Sequence, residues 1–214
     1  MPSPAACVFD NDGLLLDTED AWTRAETTLF ERHGSVFTME HKRDLIGSSH
    51  LIAAGKLEVM LEQPGEGRAL MAELHELVME EALGALAPRP GAVELVDALL
   101  AAGRPIALAS NSPRAFVERV LISAGMRDRF EHVVAGDEVA NPKPAPDIYL
   151  AACERLGVDP AQAIGLEDSP TGIAAARAAG LTVVGVPYLE DLVLDADVVA
   201  RSLADPAVHA ACGL

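Results

Sequence analysis

Two aspartates two positions apart, Asp10 and Asp12, followed at once by Gly13, are the first residues able to do chemistry in this chain of 214 residues. Three more polar clusters come much later: Ser110-Asn111-Ser112, Lys143 between Pro142 and Pro144, and Glu167-Asp168-Ser169. A carboxylate can attack phosphorus and carry the phosphoryl group covalently. A second carboxylate two positions on can protonate the leaving oxygen and later take a proton from water. Ser110, Asn111 and the amides after them are candidates for holding phosphoryl oxygens. Lys143 would add a fixed positive charge against the charge spread over those oxygens. Carboxylates crowded together repel one another, and a hard divalent cation with oxygen ligands relieves the repulsion and also binds phosphate. Asp10 and Asp168 are the first ligand candidates. The Asp12 carbonyl is a third, and Glu167 would act directly or through water.

Each cluster taken alone has an ordinary explanation. Asp-x-Asp-Gly is a turn signal. Ser110-Asn111-Ser112 can cap a following helix, and Ser169-Pro170 matches an N-cap with proline at the first helical position. Glu167 and Asp168 can complement a helix dipole, and Lys143 can be a surface residue. What ties the clusters together is their position relative to the elements around them.

Residues 5–9 read as a buried strand. Helical patterns follow at 20–33, 39–46, 50–62 and 66–86, with Gly34 as a stop and 63–67 as a break. From Pro88 the pattern alternates. Helices are expected at 91–103, 114–125, 145–157 and 170–180. Strands are expected at 105–110, 132–136, 163–168 and 181–187, with another at 196–200. Such alternation predicts a parallel sheet with helices on both faces, and the unalternating apolar strands fit burial on both sides. The economical arrangement is an α/β core of residues 1–15 and 87–214 with an all-helical cap, 16–86, inserted after the first strand. Hinges are expected near 16–18 and 84–90. All four polar clusters then lie at the C-terminal edge of one sheet, where ligands of such sheets bind.

Composition narrows the partners. With 16 basic and 33 acidic residues the formal net charge is −17, which argues against nucleic acid and fits a solvated acidic surface. No apolar run approaches the roughly 18 residues of a membrane span, and the N-terminus lacks a signal-peptide pattern, so a cytoplasmic location is expected. The three cysteines form no disulfide or metal spacing, and Cys7 reads as a core residue. The six histidines form no close pair in sequence, so no zinc site is expected. A monomer or weak dimer is expected.

The stretches VFDNDGLLLDTE (8–19), ALASNSPR (107–114), NPKPAPDIYL (141–150) and GLEDSPTGIAAARAAG (165–180) resemble, in order and spacing, the four motifs of the haloacid dehalogenase superfamily. The resemblance implies a Rossmann-like core with a helical cap after the first motif. It implies Asp10 as nucleophile, Asp12 as general acid/base, and Ser110 and Lys143 as phosphate ligands. It also implies a Mg2+ ion arranged by Asp10, Asp12, Glu167 and Asp168. Dehalogenase members lack the second aspartate, so Asp12 marks a phosphoryl-transfer member. The subgroup resembles β-phosphoglucomutase and the sugar-phosphate phosphatases. DTEDAWTRAE (17–26) and LASNSPRAFVERVL (108–121) resemble hexose-phosphate phosphatases of the 2-deoxyglucose-6-phosphatase type.

The expected activity is therefore magnesium-dependent hydrolysis of a small phosphorylated metabolite, such as a sugar phosphate, through an aspartyl-phosphate. A hexose-phosphate mutase is the alternative. Against it, Trp22 aligns where the mutase has a catalytic histidine, and Ile46-Gly47 replaces its cap lysine-glycine. His50, Lys42, Arg43 and Lys56 are possible substitutes for the cap cations a mutase needs. A non-enzymatic phospho-acceptor module is a remoter alternative, because such modules have no helical insert. Glu19, Trp22 and His50 are candidates for substrate selection. Gly47 to His50 reads as a loop opening a helix. Gly13, Gly47 and the 84–90 connection are expected points of cap movement.

Overall fold

The apolar run before Asp10 forms β1 (Ala6–Phe9), buried along its whole length. A computed structural model describes residues 3–81, 86–189 and 191–214. Four helices follow β1: α1 (Glu19–Arg32), α2 (Met39–Leu45), α3 (His50–Met60) and α4 (Gly67–Glu81). The chain then alternates through α5 (Ala92–Ala101), β2 (Ile106–Ser110), α6 (Arg114–Ser123) and β3 (His132–Ala135). It continues through α7 (Asp147–Leu156), β4 (Ala163–Glu167), α8 (Pro170–Ala178), β5 (Thr182–Gly185), β6 (Val198–Val199) and α9 (Pro206–Ala211). The sheet has order β3-β2-β1-β4-β5-β6, and every pairing is parallel. This is the expected Rossmann-like α/β arrangement.

Successive strand residues send side chains to opposite faces. Cys7 and Phe9 of β1 join Ile106, Leu108, Ile164 and Leu166 in one apolar cluster with α5 and α6. Val8, Ala107, Ala109 and Val183 join a second cluster with Tyr149, Cys153 and Ala176 of α7 and α8. Both faces are covered, which is why these strands lack polar alternation. Helices α1 and α3 both pack on α4, and the buried residues of the three, among them Leu29, Leu57 and Leu74, continue the first cluster.

The chain leaves and returns through one narrow crossing. Asp17 donates its amide to the Ala87 carbonyl at 2.9 Å, and Arg89 donates to the Leu15 carbonyl at 2.9 Å. Leu16 and Pro88 form an antiparallel bridge between them.

Some elements differ from the sequence reading. The helix expected at 66–86 is described as far as Glu81, and residues 82–85 lie outside the described residues. Part of the expected hinge at 84–90 falls there as well. The strand expected at 196–200 pairs only at Val198–Val199. Helix α9 was not anticipated, although Asp205 caps it by accepting the Ala207 amide and Pro206 opens it. No helix among the described residues is long and apolar enough to cross a membrane.

Candidate active site

The strand order reverses at β1, which has β2 on one side and β4 on the other. Crevices at such reversals open at the C-terminal ends of the strands. Phe9 is level with Leu108 and Leu166, so Asp10 is the first residue past the last pair, held by its amide on the Leu166 carbonyl at 3.0 Å. Neighbouring strands lie about 4.8 Å apart. Asp10, Ser110 and Asp168 are therefore brought together by topology, although 158 positions separate the first from the last.

Asp10 is buried, and its Oδ1 accepts from Lys143 Nζ at 2.6 Å. Burial pushes its carboxyl well above the ordinary carboxylate range. Lys143 pulls it down, while Glu167 and Asp12 push it further up. Lys143 also donates to Glu167 Oε1 at 2.6 Å and to the Ala109 carbonyl at 2.9 Å. Burial alone would lower its pKa, but the adjacent Asp10 and Glu167 charges hold it above the ordinary lysine value. The Tyr149 hydroxyl donates to the same Glu167 oxygen.

Asp12 sits in a tight loop in which the amides of Leu15 and Leu16 both donate to the Asn11 carbonyl. Gly13 takes φ +83°, and a Cβ there would stand 2.3 Å from Asp168 Oδ2. Both facts require glycine. Three hydroxyls donate to Asp12: Thr18 to Oδ1 at 2.8 Å, and Ser110 and Ser112 to Oδ2 at 2.9 Å each. Neither serine caps α6, whose N-cap is Pro113 with no side-chain bond. The capping explanation for this cluster is therefore replaced by an Asp12 cradle. The explanation for Ser169 holds, since it accepts the Gly172 amide at 3.2 Å, with Pro170 next.

Asn111 ties three segments together. Its Oδ1 accepts the Lys143 amide at 2.8 Å. Its Nδ2 donates to the Lys143 carbonyl at 3.2 Å and lies 3.5 Å from the Gly47 carbonyl. It thereby links the end of β2, the lysine loop and the loop before α3.

Among the described residues, Asp10, Glu167 and Asp168 form an acidic group whose ligand atoms lie within 4.8 Å of one another, all buried. Asp168 is driven well above the usual carboxylate range by burial, then by Asp10, Glu167 and Glu19. Glu167 Oε2 is buried without a hydrogen bond. Three buried carboxylates against one lysine leave negative charge uncompensated, and all the donors are hard oxygens. That combination suits a divalent cation.

Above this floor, α1–α4 complete a narrow cavity of about 90 Å³, lined by Asp10, Asp12, Lys143 and Asp168 below. Its lining also includes Glu19, Trp22 and His50, so all three proposed selectors border it. Trp22 also packs on Phe116 of α6, ring centroids 5.5 Å apart. His50 meets His75 through their Nε2 atoms at 2.8 Å. Burial lowers the pKa of both; the neighbouring His50 lowers His75 further, to about 4. Arg43 instead pairs with Asp191 at 2.8 Å, and Lys56 with Asp44 at 3.2 Å, and neither lines the cavity.

Several site residues escaped the sequence reading. Thr18 and Tyr149 lay inside motif stretches but carried no signal of their partners, and Ser112 read only as a possible helix cap. Glu26 and Lys42 form a buried cluster with Glu19: Lys42 Nζ is 2.6 Å from Glu19 Oε2 and 3.2 Å from Glu26 Oε2. Burial raises the Glu26 carboxyl to about 7, against the pull of Lys42. Glu19 and Glu26 stand seven positions apart on α1 and so share a face, but nothing local assigned Lys42 to them.

The sequence profile described as haloacid dehalogenase-like hydrolase matches residues 4–180. Fructose-1-phosphate phosphatase YqaB of Escherichia coli is 35% identical over 187 residues, covering 86% of this chain and 97% of that protein. The crystal structure of CbbY from Rhodobacter sphaeroides in complex with phosphate superposes with TM-score 0.82 at 29% identity, covering 94% and 96% of the two chains. β-Phosphoglucomutase from Clostridium difficile superposes with TM-score 0.80 at 26% identity, covering 94% and 92%.

Proposed function

The chain belongs to the haloacid dehalogenase-like hydrolases, and we propose that it is a magnesium-dependent phosphatase acting on a small sugar or polyol phosphate. The observation that carries this reading is the convergence of Asp10, Asp12, Lys143 and Asp168 around one cavity at the C-terminal edge of adjacent strands. The similarity to a fructose-1-phosphate phosphatase over most of both chains supports the substrate class.

In this mechanism an Asp10 carboxylate oxygen attacks phosphorus. As the new oxygen–phosphorus bond forms, the bond from phosphorus to the ester oxygen breaks. Asp12 gives its proton to that departing oxygen, releasing an alcohol. Water then attacks the aspartyl-phosphate and Asp12 takes its proton, restoring both carboxyl groups and releasing inorganic phosphate. Ser110 and Ser112 hold Asp12 in the resting site. Ser110, Asn111 and the amides beside them receive phosphoryl oxygens as Asp12 turns to the leaving group. Lys143 keeps Asp10 oriented and adds positive charge where the transferring group accumulates negative charge. Asp10, Asp168, Glu167 and the Asp12 carbonyl would hold the magnesium ion, which would neutralise phosphate charge and reduce its repulsion from Asp10.

Residues 16–86 act as a cap on a core of residues 1–15 and 87–214. The crossing of residues 15–17 with 87–89 is the pivot, and cap movement admits substrate and then excludes bulk water. Matched structures with and without a phosphate analogue test this; an identical cap pose in both would count against it.

A mutase is the second reading, favoured by the fold likeness to β-phosphoglucomutase. Trp22 takes the place of the mutase's catalytic histidine, Arg43 and Lys56 lie away from the cavity, and Lys42, which lines it, is held by Glu19 and Glu26. Hydrolysis is therefore the better fit. A screen of phosphorylated metabolites with magnesium, run beside Asp10→Asn, tests the proposal. Steady phosphate release is expected from the natural chain, falling at least about 1,000-fold in the variant. Conversion of glucose 1-phosphate to glucose 6-phosphate without phosphate release would favour the mutase instead.

A further inference from the structure

The cavity wall formed by α1 and α2 has an unusual charge arrangement for an enzyme that handles anions. Among the described residues no arginine lines the cavity, and the two lysines that do are both committed. Lys143 is bound to Asp10 and Glu167. Lys42 is 3% exposed and held between Glu19 and Glu26, themselves 6% and 4% exposed. Two carboxylates around one ammonium leave that cluster without positive charge in any protonation state of Glu26 near neutrality. His50, the remaining basic side chain on the lining, faces His75 with its pKa lowered by burial. That wall thus offers hydrogen-bond acceptors and an indole. Among the described residues, Lys42 contacts Oε2 of each glutamate, and no hydrogen bond occupies either Oε1.

We propose that this wall restricts the enzyme to phosphate monoesters whose remaining part is uncharged and hydroxyl-bearing, and that it rejects esters with a second anionic group. Hydroxyls donate to Glu19 and Glu26 and a carbon face of the substrate rests on Trp22. A carboxylate or second phosphate would be brought, partly desolvated, against like charge. Lys42 keeps the two glutamates close enough to act as one acceptor surface and has no charge to spare for a second anion. The proposal deepens the phosphatase reading and rests on it.

The test uses the full chain with magnesium and p-nitrophenyl phosphate as reporter substrate. Competing esters are added as matched pairs: glycerol 3-phosphate against 3-phosphoglycerate, and fructose 6-phosphate against fructose 1,6-bisphosphate. Within each pair the ester with the phosphate as its one anionic group is expected to compete at least about 100-fold more strongly. Replacing both glutamates (Glu19→Gln with Glu26→Gln) releases the Lys42 charge and should shrink that ratio at least about tenfold. Equal or stronger competition by the member with a second anionic group, no competition by either, or an unchanged ratio in a folded double variant would overturn the proposal. Should the double variant fail to fold by circular dichroism, the natural chain's ratio decides. Absence of any p-nitrophenyl phosphate hydrolysis would instead defeat the phosphatase reading.

Discussion

Replacing Lys42 by methionine keeps the unbranched apolar stem and removes the charged end from between two buried carboxylates. Glu19 and Glu26 would then face each other without a counter-ion, at 6% and 4% exposure. Breaking a buried ion pair by deleting one partner costs about 3–5 kcal/mol, because the remaining charge stays buried. The cost depends on pH in a direction set by Glu26. Its folded pKa is about 7 against an ordinary 4.5, raised chiefly by burial. Between those values the folded state binds more protons than the unfolded chain. In the natural protein this group's contribution is therefore most favourable below about pH 4.5, declines as pH rises to about 7, and is flat beyond. The difference of roughly 2.5 pKa units corresponds to about 3 kcal/mol over that window. Without Lys42 the pull that lowers this pKa is gone, so the decline extends above pH 7. Urea unfolding at pH 5 and pH 7.5 measures both effects. Lys42→Met is expected to lose about 3–5 kcal/mol at pH 7.5 and less than half of that at pH 5. A loss below about 1 kcal/mol at pH 7.5, or an equal loss at both values, would refute the buried-cluster reasoning.

Gly13→Ala forces a side chain into a positive-φ position 2.3 Å from Asp168 Oδ2. It should lower stability by about 1–3 kcal/mol and weaken magnesium activation at least about tenfold, read by titrating the metal against phosphate release. Asn111→Ala removes the links from β2 to Lys143 and Gly47. It should raise KM or lower kcat at least about tenfold in steady-state assays, with a melting shift of only a few degrees. Chelation with EDTA should abolish phosphate release, and added magnesium should restore it. Release that persists in EDTA would remove the metal from the account.

The core was legible because its physics is local. Unalternating apolar runs at 5–9, 105–110 and 163–168 mark strands buried on both faces, and the Gly and Pro stops between them mark helix ends. The order of polar clusters at strand ends then located the site, since topology gathers Asp10, Ser110 and Asp168 whatever the loops do. What remained hidden depends on contacts between elements. Ser110 and Ser112 read as possible helix caps, because hydroxyls bond wherever an acceptor is brought near, and Asp12 arrives from about 100 residues away. Lys42 read as a free cap cation, since only the packing of α1 against α2 shows it enclosed by carboxylates. The histidines read as scattered, but the packing of α3 on α4 pairs His50 with His75. Helix α9 was overlooked although Asp205-Pro206 is a start signal, because six residues are too few to show a periodic apolar face.

The central claim is that Asp10 carries the phosphoryl group. Acid-quenched turnover of a good substrate, followed by borohydride reduction and peptide mass spectrometry, tests it directly. Reduction of an aspartyl-phosphate leaves homoserine in place of the aspartate. Homoserine at position 10, appearing only when substrate and magnesium are both present, is the predicted result. Steady phosphate release with an unmodified Asp10, or with the modification at another residue, would contradict it.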